Sequence, residues 1–183
     1  MNIPNFLSLL RIILVPVIVI FLIQEEYATA LIVFSLAGLT DALDGTLARL
    51  LKKQTELGAF LDPLADKVLL STGFISLSIV GLIPGWLTVI VISRDLIILI
   101  GIMTLSMMSV LYEIKPVFVS KVTTALQIST VFLALFLKTF TFKIINYYEV
   151  VKILSWLTAF FTIISGLVYI YKGIRFLNHP SDK

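Results

Sequence analysis

The chain has 183 residues, of which 59% are hydrophobic and only 14% charged, with a formal net charge of +3. A soluble domain averages about 25% charged residues, and a mean hydropathy of +1.08 leaves too little polar surface to cover a water-soluble globule. The small, dispersed charge excess gives no basic tract for nucleic acid. The absence of cysteine excludes disulfides, thiolate metal sites and a cysteine nucleophile.

Apolar runs and the breakers between them predict helices over Phe6–Ile23, Tyr27–Leu51, Leu57–Leu82, Gly85–Leu111, Phe118–Phe140 and Val150–Phe176. Six spans of about 20 residues fill roughly 120 positions and leave no room for a soluble domain. The expected fold is an all-α integral membrane protein with six transmembrane helices, one domain over residues 1–183. The first run has the length of a signal-peptide core, and Ala28-Thr29-Ala30 follows it. No cation precedes that run except Arg11 at its edge, and Glu25-Glu26 crowd the cleavage position, so it is expected to stay as a helix. His179 lies in a polar tail and is expected to be solvated. Trp86, Trp156, Tyr147 and Tyr148 fall at span ends, where aromatic rings anchor in the interface.

Orientation follows from the cations. With six spans both termini share one side, which carries Arg49, Lys52, Lys53, Lys115, Lys121, Lys172, Arg175 and Lys183. The other side carries Lys138, Lys143 and Lys152. The imbalance places both termini in the cytoplasm of a multi-pass cell-membrane protein.

The second and third helices hold the unusual chemistry. Asp41, Asp44, Asp62 and Asp66 fall where these helices meet their shared turn, and carboxylates within a span are costly enough to demand a role. Asp41 and Asp44 share a helix face at i, i+3, as do Asp62 and Asp66 at i, i+4. A hairpin turning near Lys52-Lys53-Gln54 is expected to set the two pairs facing each other at one depth. Four such anions repel unless cations bind, and oxygen-only ligands select hard divalent ions, Mg²⁺ or Mn²⁺, with room for two. Gly38, Ala42, Gly45 and Ala48 leave one helix side nearly featureless, and Gly58 does the same on the next helix. Arg49 offers a planar fork to phosphate oxygens. Metal, arginine and a glycine-lined slot together suit a pyrophosphate substrate.

The run Asp41-Ala-Leu-Asp44-Gly45-Thr-Leu-Ala48-Arg49, followed by Gly58, Asp62 and Asp66 at fixed spacing, resembles the signature of the CDP-alcohol phosphotransferase family at all eight fixed positions. The resemblance implies an active site on the cytoplasmic side of helices two and three. There Asp41, Asp44, Asp62 and Asp66 ligate metal, and Asp66 also acts as the base. It further implies that Asn5, Ser8, Gly45, Ala48, Arg49, Thr55 and Gly58 bind the CDP-lipid. The implied reaction is attack by an alcohol on the lipid-side phosphorus of CDP-diacylglycerol with release of CMP, in a homodimer within the lipid bilayer.

The opening Asn2-Ile3-Pro4-Asn5-Phe6-Leu7-Ser8-Leu9-Leu10-Arg11 resembles the phosphatidylglycerophosphate synthase branch, whose acceptor is glycerol 3-phosphate. Ser93-Arg94-Asp95 and the stretch from Lys115 to Gln127 resemble that branch and also the cardiolipin synthase branch, which accepts phosphatidylglycerol. Glycerol 3-phosphate is the expected acceptor, with Arg11, Arg94 and Lys121 as the cations that would hold its phosphate. The competing role for Arg94-Asp95 is a structural ion pair between helices. An ion-coupled transporter would also carry intramembrane carboxylates, but the acids cluster at one turn rather than at mid-membrane. A prenyl-pyrophosphate enzyme gives no reason for Arg49 and Gly58 at their spacings.

Overall fold

The computed structural model describes the backbone of residues 3–51, 56–107, 118–140 and 146–178, and the side chains of 8–40, 64–101, 103–104, 118–140 and 146–175. Among the described residues the chain is entirely helical: α1 (Ile3–Ile23), α2 (Tyr27–Leu51), α3 (Glu56–Ile79), α4 (Gly85–Met107), α5 (Phe118–Thr139) and α6 (Tyr147–Asn178). Two stretches, Phe118–Thr139 and Tyr147–Arg175, are each long and apolar enough to cross a membrane.

The tight connections are built on backbone caps. Glu25 takes a positive φ of 60° after α1, the Glu26 amide donates to the Phe21 carbonyl (2.9 Å), and the Glu25 amide donates to that of Leu22 (3.2 Å). The α3–α4 turn repeats this with Gly81 at φ 78°, Leu82 donating to Leu77 (2.8 Å) and Gly81 to Ser78 (3.1 Å). Both are left-handed caps that satisfy the last carbonyls of a helix. Because Gly81 is the residue just past the cap, α3 ends at Ile79 rather than at the expected Leu82. At the start of α6 the Asn146 side chain accepts from the Tyr148 amide (3.2 Å), an N-cap that begins the helix three residues before the expected Val150.

Each helix turns one apolar stripe inward: Val15, Ile18 and Leu22 on α1, Ala30, Phe34 and Ala37 on α2, Leu70, Phe74 and Leu77 on α3, and Leu87 and Val91 on α4. The helix face periodicity of 3.6 residues accounts for these spacings. The outer surface is equally apolar, with Ile13, Ile20, Ile32, Leu36, Leu39, Val89, Ile100 and Leu167 exposed, whereas Thr123, Gln127, Thr130, Ser155, Thr158, Thr162 and Ser165 are buried. Threonine hydroxyls bridge α5 and α6: Thr130 and Thr158 lie 2.7 Å apart, and Thr123 donates to the Phe161 carbonyl at 3.0 Å. Polar side chains inside and aliphatic ones outside suit a bilayer as solvent.

α1 packs against both α2 and α3, and α5 also touches both. Among the described residues α2 and α3 do not pack directly on each other. Over the described part of their length the two helices are held apart, with α1 packed against both; the expected turn near Lys52-Lys53-Gln54 and the facing of the two carboxylate pairs lie outside the described residues.

Candidate active site

The gap between α2 and α3 is a cleft of about 610 Å³. Its walls are Phe34, Gly38 and Leu39 from α2, Leu69 and Leu70 from α3, and Ile128 and Phe132 from α5, with hydroxyls from Ser35, Thr124 and Ser129. Gly38 has nothing within 4 Å of where a Cβ would stand, so the small residue leaves the cleft open at that turn. Among the described residues one carboxylate lines it, that of Asp66.

Asp66 is positioned from behind. Arg11, fully buried on α1, donates from its guanidinium to an Asp66 oxygen, while 42% of the Asp66 side chain stays exposed. Ser8, also fully buried, precedes Arg11 by three residues on the same face of α1. Burying a guanidinium costs several kcal/mol unless a carboxylate answers it, so the pair fixes α1 against α3 at this depth. It also fixes which way the carboxylate points.

Arg94 stands on α4 and is 5% exposed. It donates to Asp95 (2.7 Å), to the Ser120 hydroxyl on α5 (2.6 Å) and to the Ser165 hydroxyl on α6 (2.8 Å). It also lies 5.7 Å from the centre of the Tyr169 ring, a cation–π distance. Gly166 lies beside it, where a Cβ would stand in ordinary van der Waals contact with Arg94 Cγ at 3.5 Å. Asp95 in turn accepts from Lys67 on α3 at 2.6 Å. This network ties four helices together at the same end of the bundle as Asp66. Lys67, although it directly follows Asp66, balances Asp95. Lys121 is exposed on the first turn of α5, and among the described residues it makes no ion pair.

The remaining expected site residues are placed by backbone alone. Asp41, Asp44, Gly45, Ala48 and Arg49 lie in the last turns of α2, Gly58 and Asp62 in the first turns of α3, and Asn5 in the first turn of α1. Their side chains, and Thr55 altogether, lie outside the described residues. Uninterrupted helix through both stretches preserves the i, i+3 and i, i+4 spacing of the carboxylate pairs. Sequence reasoning missed Ser165 and Tyr169 as partners of Arg94. It also missed the cleft hydroxyls Ser35 and Ser129. The only signal for them was that small polar residues recur within an otherwise aliphatic helix.

A family model for CDP-alcohol phosphatidyltransferases matches residues 1–164. The chain is 40% identical to the human cardiolipin synthase (CMP-forming) over 94% of its own length and 62% of that protein. It thus spans about three fifths of that relative. It is 31% identical to the CDP-diacylglycerol–glycerol-3-phosphate 3-phosphatidyltransferase of Bacillus subtilis, covering 94% of this chain and 95% of that one. For the enzyme of the same name from Aquifex aeolicus the identity is 32%, over 97% and 98%. With a buried arginine holding a carboxylate at the rim of an apolar cleft, and the signature run on the two helices that flank it, the chain belongs to the CDP-alcohol phosphatidyltransferase family.

Proposed function

We propose that this protein transfers the phosphatidyl group of CDP-diacylglycerol to the hydroxyl of phosphatidylglycerol, releasing CMP and forming cardiolipin. The observation that carries the reading is Asp66, held by Arg11 at the rim of a cleft whose walls are otherwise aliphatic, aromatic and hydroxylic. Acyl chains fit such walls, and a carboxylate at the rim meets the headgroup. Asp66 takes the proton of the acceptor hydroxyl as the oxygen attacks phosphorus, and the CMP phosphate leaves. Arg49, with its planar fork, holds the pyrophosphate of the CDP-lipid whose nucleotide-side phosphate departs as CMP, and Gly45 and Gly58 leave space for the nucleotide; Asn5, Ser8, Ala48 and Thr55 complete the CDP contacts.

The carboxylates Asp41, Asp44, Asp62 and Asp66 fit a hard divalent ion. They are an all-oxygen donor set, spaced by single helical turns on two unbroken helices. Mg²⁺ or Mn²⁺ held there would neutralise charge on the pyrophosphate.

Two facts favour phosphatidylglycerol as acceptor. Identity is higher to the cardiolipin synthase than to the glycerol-3-phosphate enzymes. In addition, Arg11 and Arg94, the buried cations expected to hold a dianionic phosphate, are engaged by Asp66 and by Asp95, Ser120 and Ser165. Glycerol 3-phosphate is the second reading, favoured by the near-complete mutual coverage with relatives named for it and by the exposed Lys121. In either reading the six helices cross the bilayer, both termini and the Asp66 end face the cytoplasm, and the family resemblance implies a homodimer. The apolar outer surface supports the spanning arrangement.

Purified protein in mixed micelles with CDP-diacylglycerol is offered each acceptor in turn, with CMP and the lipid product measured. Cardiolipin formation supports the first reading. Consumption of glycerol 3-phosphate alone establishes the second. No CMP from either, or full turnover in excess chelator, removes the mechanism.

A further inference from the structure

The end of the bundle remote from Asp66, about 20 Å away along α3, carries a second cleft of about 390 Å³. It lies between the α3–α4 turn and the start of α6. The Tyr147 hydroxyl donates to the Leu82 carbonyl at 2.7 Å, pinning the first turn of α6 onto that turn. Trp86 and Trp156, from α4 and α6, stand with ring centroids 5.0 Å apart and form one wall. Ser155, fully buried, lines the cleft, and its hydroxyl has no hydrogen-bond partner. Lys152 stands three residues earlier at the mouth. It is exposed and makes no ion pair among the described residues.

A buried hydroxyl without a partner forfeits hydrogen-bond energy, and a cation one helical turn away on the same face supplies the complementary charge for an anion bridging the two. The indole rings offer the amphipathic wall typical of the membrane interface. We propose that this cleft binds the phosphate of an anionic phospholipid of the surrounding membrane, at a site separate from the candidate active site. Lys152 Nζ and Ser155 Oγ contact the phosphate oxygens, and the two indoles flank the glycerol and the upper acyl chains. The site rests on the bilayer-spanning reading but not on the choice of acceptor.

Trp86 and Trp156 are the only tryptophans in the chain, so tryptophan emission excited beyond the tyrosine band reports on this cleft alone. The full-length protein is reconstituted in phosphatidylcholine vesicles containing equal mole fractions of dibrominated phosphatidic acid or dibrominated phosphatidylcholine. Phosphatidic acid is expected to quench with about fivefold preference, the size of effect one lysine gives near an anionic lipid. Lys152→Gln, a change at an exposed position, should abolish the preference, and Ser155→Ala should reduce it. CMP release should stay unchanged in both variants. Equal quenching by the two lipids, or a preference that survives Lys152→Gln, overturns the proposal. Loss of the preference on adding inorganic phosphate at constant ionic strength also overturns it, because the site then takes a free anion rather than a lipid. Quenching by neither lipid removes the bilayer placement itself, a failure distinct from the other two.

Discussion

At the Asp66 end of the bundle, side-chain charge joins the helices; at the opposite end, backbone caps and ring contacts do. Arg11 reaches from α1 to Asp66 on α3, and Arg94 on α4 engages α5 and α6 while Asp95 beside it takes Lys67 of α3. The far end is closed by two short turns capped through Glu25 and Gly81 and by the Tyr147 hydroxyl on Leu82. The difference lies in what each join can tolerate. A backbone cap holds the chain whatever the side chains nearby are doing. A buried ion pair fixes one geometry and is lost if either partner goes, which suits the end where a carboxylate must be aimed at a substrate.

The largest test of that contrast is Asp66→Asn, which keeps the size of the side chain and removes its basicity. General-base catalysis contributes about 10²–10⁴-fold, so CMP release should fall by at least about 10²-fold. Saturating Mg²⁺ should not restore it, although CDP-diacylglycerol still binds. Recovery at high Mg²⁺ would make Asp66 a metal ligand only. Next in size is Arg94→Leu, which leaves Asp95 with Lys67 alone and strands Ser120 and Ser165. Removing one partner of a buried pair costs about 3 kcal/mol, measurable as a lowered midpoint of denaturation in detergent. A midpoint within 0.5 kcal/mol of wild type (about the error of such a measurement) would show that the network is not structural.

Between the two ends runs the α5–α6 hydroxyl seam, and Thr158→Val removes its bond to Thr130. Interhelical hydrogen bonds of this kind average about 0.6 kcal/mol, so the same assay should register a small loss. A loss as large as that of Arg94→Leu would blur the distinction between charge and hydroxyl. The effects at the caps are comparably small and have opposite signs. Gly81→Ala forces a Cβ into a left-handed position and should cost about 1 kcal/mol. Glu25→Gly relieves the same strain while adding freedom to the unfolded chain, for a net gain of about 0.5 kcal/mol. Equal signs for the two would mean that the caps are not equivalent.

Much of the fold is legible in the sequence because apolar runs and breakers have few alternative readings. All six helices fall where those runs predict them, with shifts at the ends that local chemistry explains. Pro4 is tolerated in the first turn of a helix, so α1 starts at Ile3 rather than Phe6. Asn146 is a cap signal that the apolar pattern alone does not register. The separation of α2 and α3 over their described turns was not legible, because a short connection suggests direct packing and nothing local announces that α1 lies against both. Of the signature carboxylates, Asp66 has a described environment, and its partner Arg11 is 55 residues away. For Arg94 the sequence supported both an ion pair and a phosphate contact. The geometry commits it to Asp95 and two serines, contacts that long sequence separation conceals.

The partners of Arg94 arrive late in synthesis. Asp95 is its neighbour and Lys67 precedes it, but Ser120 follows by 26 residues and Ser165 by 71. A nascent chain that has made α4 therefore carries a guanidinium whose hydrogen-bond acceptors are mostly still unmade, in surroundings where such a group is costly. In the bilayer-spanning arrangement proposed above, the Arg94 guanidinium is answered in full only once α5 and α6 can reach it. The making of α6 thus decides when the fourth helix is finished, and a chain stopped short of residue 165 leaves unanswered a charge that the six-helix bundle conceals.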